Sequence, residues 1–484
     1  MDSPINVRYP VSAGIGSALL SAIFFYFGTG LHPHWWLTWL AAIPLLLLSY
    51  CAPAKWAFIV SFVSFALGSL NLWRYFEILD LPIVIRLEAF LGPALIFASG
   101  IMLSRAFFLR GYRWLAALSL PAVWMSFEFI ASFGPNGTAL NLAYSQMNFL
   151  PVLQIASVTG IWGISFIVLF FSSAIAVALS SKSKTFAAAS LAIVIAVLAF
   201  GAARLAIHHD GERVTIGLAA TDRKPLLANQ ESDAAGIVQA YVEAIDQLAA
   251  RGAQVVVIPE KIGPTMSDSS GPTLDAFSQA AAKNHVIVVV GLDHLDRPLK
   301  HNMSYVFAPN GKLEKAYEKH YMVPHWEDGY ERGTTIAILP DPHPHWATAI
   351  CKDMDFPTLS RRYAQRGTGL LFVPAWDFTV DDWLHGRMAI LRGVEAGFAI
   401  ARSAKQGLMT ITDNRGRVLA QQHSSVGMAT LLGEITVSPD LTLYARFGDW
   451  FAWLVLAGTA ILLLSLVARR GSFHSYRTTE TRPR

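Results

Sequence analysis

The chain has 484 residues, 53% of them hydrophobic and only 15% charged, where soluble domains carry about 25% charged residues. With a mean hydropathy of +0.41, these values exclude a wholly soluble protein and leave length for one soluble domain beside a membrane part. The net charge of +4 is small and scattered, which argues against a nucleic-acid partner.

A spanning helix needs about 20 mostly apolar residues. In chain order, seven stretches qualify before residue 210, near 11–29, 35–51, 56–77, 83–104, 114–133, 161–181 and 185–207. No clear small-x-small cleavage site follows the first, so it is expected to stay as a span. Lysine and arginine in the short loops set the orientation. Lys55 follows the second span, Arg105, Arg110 and Arg113 the fourth, and Lys182 and Lys184 the sixth. An eighth span, DWFAWLVLAGTAILLLSLVARR at about 449–470, leads to a tail with Arg469, Arg470, Arg477, Arg482 and Arg484. If the spans alternate, these segments share the cytoplasmic side. The loop at 134–160 then lies opposite and contains no lysine or arginine. The expected domains are a seven-span membrane part at 1–210, an extracytoplasmic domain at 211–440, and a last span with a basic tail at 441–484.

Strand and helix signals alternate in the outer domain. VTIGLAA (214–220), QVVVIPE (254–260) and HVIVVVG (285–291) read as strands buried on both faces. Between the first two, Ile237, Tyr241, Ile245 and Leu248 recur on one helical face. Residues 303–318 form a hairpin around an Asn-Gly turn, and strands follow at 345–350, 369–374, 398–404, 407–412 and 417–421. A helix over 382–397 aligns Leu384, Met388, Leu391 and Val394. The expectation is an α/β domain of two contacting sheets with helices outside. No Gly-rich phosphate loop and no internal repeat occurs.

The chain has two cysteines, Cys51 and Cys351. The topology puts them on opposite sides of the membrane, so Cys351 is expected as a free thiol in an oxidising compartment. It ends the apolar run of HWATAICKDMDFP (345–357), among charges. A buried free cysteine is usually just a small apolar residue. A nucleophile, by contrast, needs a base and a cation from elsewhere. Such groups belong at strand ends, where α/β folds place chemistry. Glu260 sits at one, in VVVIPEKIGP, while Lys319 and Glu327 lie in YEKHYMVPHWEDG after the hairpin. Taken alone, Glu260 is an ordinary strand end and the loop an ordinary charged surface. Together they supply a base, an oxyanion-stabilising cation and a thiol for acyl chemistry.

The order Glu260, Lys319, Cys351, each after a strand or hairpin, resembles the nitrilase superfamily of carbon–nitrogen hydrolases. That resemblance implies a catalytic triad on an αββα sandwich. The eight-span frame narrows it to a resemblance to the bacterial apolipoprotein N-acyltransferases. AYSQMNFLPVLQIASVTGIWGISF (143–166) is similar to their segment before the sixth span, through Tyr144, Ser145, Gln146, Gln154, Ala156, Gly160, Gly163, Ser165 and Phe166. Tyr317, Lys319, Val323, Pro324 and Glu327 match the lysine loop, and LRGVEAG (391–397) matches the R-x-x-E helix. The chain departs at three places. Lys352 and Asp353 follow the cysteine where the family typically has an aromatic and Glu, AATDRKPLLANQ (219–230) replaces a Gln-x-Asn-Ile segment, and PAWDFTVDDW (374–383) replaces an Asn-Asp loop. All three are expected at the pocket mouth, with Trp376 among them.

The resemblance implies two half-reactions and no cofactor. Cys351 takes an acyl chain from a membrane phospholipid, with Glu260 as base and Lys319 on the oxyanion. A lipoprotein's diacylglyceryl-cysteine amine then accepts it. Glu327 is expected to orient Lys319 or the amine, and Lys352 to favour thiolate or meet a phosphate. Arg86, Glu88 and Glu128 lie within spans toward the catalytic side, where ionisable residues are functional suspects. Arg86 is the further candidate for the donor's phosphate, unless these spans simply start later and end sooner. His320, His325, His343 and His345 lack metal-ligand spacing. Trp35, Trp36, Trp450 and Trp453 are expected as interfacial anchors. The expected setting is a monomer in the bacterial inner membrane. Two alternatives stay open at this stage, a membrane-anchored amidase or other acyl hydrolase and a non-catalytic lipid-binding scaffold.

Overall fold

The computed structural model describes residues 11–207, 210–223, 230–267, 269–295 and 299–475, with side chains to residue 466 in the final helix. The tail arginines Arg477, Arg482 and Arg484, the side chains of Arg469 and Arg470, and residues 224–229 lie outside these. In chain order the first helices are α1 (Val11–Gly28), α2 (Trp35–Cys51), α3 (Ala54–Ile78), α4 (Ile83–Phe108), α5 (Arg113–Ala131), α6 (Ile161–Ser181) and α7 (Lys184–Ala206). All but α2 are long and apolar enough to cross a bilayer, and α2 is shorter and interrupted at Ala42, ahead of Pro44. These helices are apolar all round, as a lipid-facing bundle requires. Leu45, Phe97, Ile101, Leu120 and Met125 pack inward, while Ile15, Leu19, Ile23, Leu191 and Ile195 stay exposed on the outside.

The α/β part is built of two sheets. In the first, β1 (Glu212–Ala220), β2 (Val255–Val257) and β4 (Ile287–His294) run parallel, and the short β3 (Pro264–Thr265) pairs with β4. Antiparallel β5 (His301–Phe307) and β6 (Leu313–Glu318) extend that sheet beyond β4. The second sheet holds β7 (Ala337–Ile338), β8 (Trp346–Thr348), β9 (Leu370–Trp376), β10 (Ala399–Lys405), β11 (Leu408–Thr412) and β12 (Val418–His423), ordered β12-β11-β10-β9-β8-β7. Alternate residues of each strand point inward. Val255 and Val257 of β2 join Leu370, Phe372, Ala399 and Ala401 between the sheets. Val256 faces the other way, against Tyr241, Ile245 and Leu248 of α8 (Glu231–Ala250) and Phe277 of α9 (Pro272–Asn284). On the far side, α10 (Pro357–Ala364) and α11 (Asp382–Ala396) cover Ala347, Leu371 and Val373. The result is the expected αββα sandwich.

Some elements carry no clear sequence signal. The strand β13 (Ala429–Val437) pairs antiparallel with β1 over its whole length and completes the first sheet. The helices α9 and α10 lie outside the elements expected above, although Leu274, Phe277 and Ala281 share a buried face of α9 and each helix opens with a proline. The aligned face of α11, with Leu384, Met388, Leu391 and Val394, packs into the membrane core and not onto the sheet. Its small residues Ala389 and Ala396 touch the sandwich instead. The helix α12 (Trp450–Ser475), expected as the eighth span, returns along α5, but over its described residues, Trp450–Leu466, it is a shorter apolar helix and not one of the six long enough to cross a bilayer.

The seam between the two parts fixes the directions of the spans. Arg387 Nη2 donates to the Gly30 carbonyl after α1 (2.5 Å), and Tyr75 at the end of α3 donates to Asp381 (2.7 Å). Thr138, after α5, donates through its amide and hydroxyl to the Asp355 carbonyl (3.0 and 2.8 Å). The Ile161 amide at the start of α6 donates to Glu395 (2.5 Å), and Arg417 reaches the Leu205 carbonyl at the end of α7. Successive spans therefore alternate. Cys51, Arg105, Arg113 and Lys184 lie at the ends remote from the sandwich, and both cysteines are free.

Gly160 is a closely packed point of this seam. Its φ is +69°, and a Cβ there would lie 2.4 Å from the Tyr444 ring. Gly160→Ala combines the strain of a backbone at φ +69°, ψ −173°, which essentially only glycine adopts, with overpacking, each about 1 kcal/mol or more. A clear drop in the unfolding midpoint of the detergent-solubilised protein is expected. Gly16→Ala, in open space within α1, should leave the midpoint unchanged or raise it. Equal behaviour of the two variants would contradict the seam described here.

Candidate active site

The strand β8 ends at Thr348, and the Ala349 amide still donates to the Phe372 carbonyl of β9 (3.0 Å). The chain then turns sharply. Cys351 has φ +39° and opens a 3-10 turn over Cys351–Asp355. A non-glycine residue there costs about 1–3 kcal/mol and persists only when its surroundings hold it. Asp353 does much of that holding. One carboxylate oxygen accepts from the Ile350 amide (2.9 Å) and the Tyr317 hydroxyl (2.7 Å), the other from the His320 and Tyr321 amides (3.1 and 3.0 Å). The cysteine turn and the loop after β6 are thereby tied together. Burial pushes the Asp353 carboxyl up to about 6, although these donors and Lys319 favour its charge. The half-buried Cys351 points its thiol at the Trp376 carbonyl, 3.5 Å away.

Glu260 follows β2 by three residues and Lys319 follows β6 by one. Both are buried, and they meet. Lys319 Nζ lies 2.7 Å from Glu260 Oε1 and 2.9 Å from Glu327 Oε2. Asn302 Nδ2 spans the same two carboxylates at 2.6 and 2.8 Å, and Lys261 Nζ reaches Glu327 Oε1 at 2.6 Å. The Val323 amide gives Glu327 a further donor at 2.8 Å. Two buried carboxylates thus face two ammonium groups, which removes most of the penalty of burying either sign alone. Against the burial that would raise it, Lys319 and Lys261 hold the Glu327 carboxyl down at about 2. Its stabilising charge is therefore present above the ordinary carboxylate range and lost only as pH falls toward 2. Lys319 stays well above the usual lysine range, because Glu260 and Glu327 outweigh its burial. Burial and then the Glu260 charge push the Cys351 thiol well up, with Lys319 opposing them. The resting group is a neutral thiol beside a paired carboxylate and ammonium. It can move a proton from sulfur to Glu260 and hold a developing oxyanion near Lys319.

Asn302, Lys261 and Lys405 are not among the residues that the sequence marks out. Asn302 has a faint signal, as a polar residue inside the strand His301–Phe307, fully buried with Ser304 on the same face. Lys352 lies beside the cysteine but turns to Asp355 at 3.1 Å and the Phe356 ring at 5.9 Å. Trp376 is 37% exposed, with its carbonyl 3.5 Å from the Cys351 sulfur and Nε1 donating to Gln406 (2.7 Å). Two candidates sit away from this group. Arg86 donates to the Leu81 carbonyl (2.6 Å) and pairs with Glu77 (3.4 Å), all within the membrane part. Glu128 ends α5 and accepts from the Leu142 amide (2.7 Å), while Glu88 is exposed. The segment 143–166 serves the seam. Tyr144 joins Thr138 (2.8 Å) and Arg392 (3.2 Å), and Gln154 donates to the Arg415 carbonyl (2.9 Å).

A cleft of about 530 Å³ lies between Phe133–Pro135 of the membrane part and the lysine loop, with Glu327 and Phe356 in its wall. Among the described residues no group of three or more His, Cys, Asp or Glu side chains is arranged to hold a metal ion.

Comparison with known proteins covers both parts of the chain. Residues 225–439 match the carbon–nitrogen hydrolase family. Residues 17–174 match the apolipoprotein N-acyltransferase N-terminal domain. The apolipoprotein N-acyltransferase of Geobacter metallireducens is 26% identical over 401 residues, covering 74% of this chain and 75% of its own. That of Bradyrhizobium diazoefficiens is 25% identical over 405 residues, 72% of each chain. Apolipoprotein N-acyltransferase 1 of Treponema denticola is 23% identical over 534 residues, 93% of this chain and 95% of its own. Among solved structures, an amidase from Nesterenkonia sp. is 19% identical and matches 48% of this chain and 92% of its own, with a TM-score of 0.41.

The electrostatics of the thiol can be read directly. Alkylation of Cys351 by iodoacetamide, followed against pH, reports the thiolate fraction. It should rise only in the alkaline range in the unmodified protein. Glu260→Gln removes a charge that raises the thiol, so the curve should move to lower pH. A curve that stays in place would separate Glu260 from Cys351.

Proposed function

The chain belongs to the apolipoprotein N-acyltransferases of the carbon–nitrogen hydrolase superfamily, and from that premise we propose that Glu260, Lys319 and Cys351 carry its acyl transfer. The observation that carries this reading is the buried Glu260–Lys319–Glu327 cluster beside a cysteine held at positive φ. Strain of that kind gathers where a nucleophile must be presented to a substrate.

In the first half-reaction the Cys351 sulfur attacks the carbonyl carbon of a phospholipid ester while Glu260 takes the thiol proton. Lys319 lies where it can stabilise the tetrahedral oxyanion. Collapse breaks the bond to the glycerol oxygen, which leaves as lysophospholipid with the proton from Glu260. A thioester remains on Cys351. In the second half-reaction the α-amino group of a lipoprotein's N-terminal diacylglyceryl-cysteine attacks that thioester and gives its proton to Glu260. The sulfur leaves and is reprotonated. Glu327, with its four donors, serves as the residue that positions Lys319 and not as a contact for the amine. Asp353 positions the cysteine turn, and Trp376 shapes the mouth. Arg86 and Glu128 hold the membrane part.

In the same reading residues 1–210 and 441–484 embed a monomeric enzyme in the bacterial inner membrane, and residues 211–440 act on its outer side. The support is the charge pattern, since Lys55, Arg105, Arg110, Arg113, Lys182 and Lys184 all belong to the face remote from the sandwich. Basic residues favour the cytoplasmic side.

Cys351→Ala and Cys351→Ser should fold and lose transfer from phospholipid to a diacylated lipopeptide by at least about 1,000-fold, as removal of a nucleophile does. Substantial transfer by the alanine variant would remove the assignment. A reporter active only outside the cytoplasm should be on when fused after residue 210 and off after residue 484. Equal signals from the two fusions would contradict the orientation.

A further inference from the structure

Lys405 closes β10 and is almost fully buried, 3% exposed. Its Nζ donates to the Lys261 carbonyl at 2.7 Å and lies 3.7 Å from the centroid of the Trp376 ring. Both partners belong to the site already described. Lys261 directly follows Glu260, has φ +50° in the left-handed region, and sends its own ammonium to Glu327. Trp376 faces Lys405 across the β9–β10 register, and its carbonyl receives the Cys351 thiol. One buried ammonium therefore touches the strand end that carries the base and the strand end that faces the nucleophile. Lys319, Lys261 and Lys352 each have a carboxylate oxygen within 3.1 Å. Lys405 instead has a carbonyl and an aromatic face, which hold the cation and not the neutral amine most strongly.

We propose that Lys405 is a positioning residue for acylation of Cys351, its ammonium clamping the Lys261 peptide and the Trp376 ring so that Glu260 and the mouth of the site keep their working geometry. This inference rests on the acyl-transfer reading above. The groups facing the ammonium are Glu260 and Lys261 from the turn after β2, Asp293 from β4, and the Trp376 ring from β9. Burial lowers the Lys405 pKa to about 7, with Glu260 and Asp293 pulling it up and Lys261 pulling it down. The sign follows directly. Below that value the clamp is charged and intact, and above it the neutral amine loses its attraction for the ring and for Glu260. Raising the pH brings no compensating gain in thiolate near neutrality, because the Cys351 thiol is held well above its ordinary range.

The test is the single-turnover rate of Cys351 acylation in the full-length protein across about pH 6 to 9, read by intact mass. It is run with a phospholipid and separately with a small uncharged thioester, and each variant's unfolding midpoint is recorded. The unmodified protein should slow as the pH rises through about 7. Lys405→Met should be slower throughout, roughly 10- to 100-fold, the scale of a small misplacement of reacting groups. Lys405→Arg keeps its charge at every pH tested and should restore the rate without the alkaline decline. A rate and profile in Lys405→Met equal to the unmodified protein would overturn the proposal, as would an alkaline decline that persists in Lys405→Arg. If Lys405→Met does not fold, the Lys405→Arg profile still decides. If phospholipid never acylates Cys351 while the small thioester does so with the Lys405-dependent profile, the acyl-transfer reading fails and the clamp stands.

Discussion

Two buried carboxylates can remain ionised side by side only if cations lie between them, and Lys319 is that constraint in this protein. It bridges Glu260 and Glu327 within 3 Å of each. Removing it would leave like charges facing each other in a medium that screens them poorly. The rest of the site follows from this placement. Asn302 and Lys261 complete the neutralisation, the loop after β6 must close over the strand ends, and the thiol is left beside a carboxylate whose charge disfavours thiolate. The cluster stores no free reactive sulfur. In the proposed reaction, proton transfer is coupled to attack.

The same geometry ties the candidate site to the helical bundle. The cysteine turn ends at Asp355, whose carbonyl accepts two hydrogen bonds from Thr138 in the loop between α5 and α6. The helix α11 sends its apolar face into the membrane core and its small residues to the sheet. A carbon–nitrogen hydrolase sandwich is therefore not merely tethered to the bundle. Its nucleophile turn and the span ends share one packed seam, with Gly160 closing against Tyr444 and Tyr144 against Arg392.

Much of this was legible in the sequence because the signals were local. Apolar run length marked the spans, continuous apolar runs marked β1, β2 and β4, an Asn-Gly turn marked the hairpin, and Glu260, Lys319 and Cys351 each followed a strand or the hairpin. What was not legible depends on contacts distant in sequence. In β13, Gly433 and Glu434 interrupt the apolar pattern, yet the strand is fixed by pairing with β1 and by the space Gly433 leaves for Ile411, 2.9 Å from a would-be Cβ. Asn302, Lys261 and Lys405 gain their partners only when the sheets bring their strand ends together. Lys352 and Asp353 adjoin the nucleophile in sequence, but a 3-10 turn rotates each residue by about 120°. Asp353 is thereby turned inward to bind the loop after β6. Sequence adjacency carries little information about direction at such a turn.

The measurement that bears most directly on the central claim is the mass of the protein itself, purified from membranes in mild detergent and digested at neutral pH. The account predicts a long-chain acyl adduct on the peptide containing Cys351, released by hydroxylamine as a thioester should be and absent after Glu260→Gln. A Cys351 peptide that stays unmodified in the presence of phospholipid, with the protein folded, would contradict it.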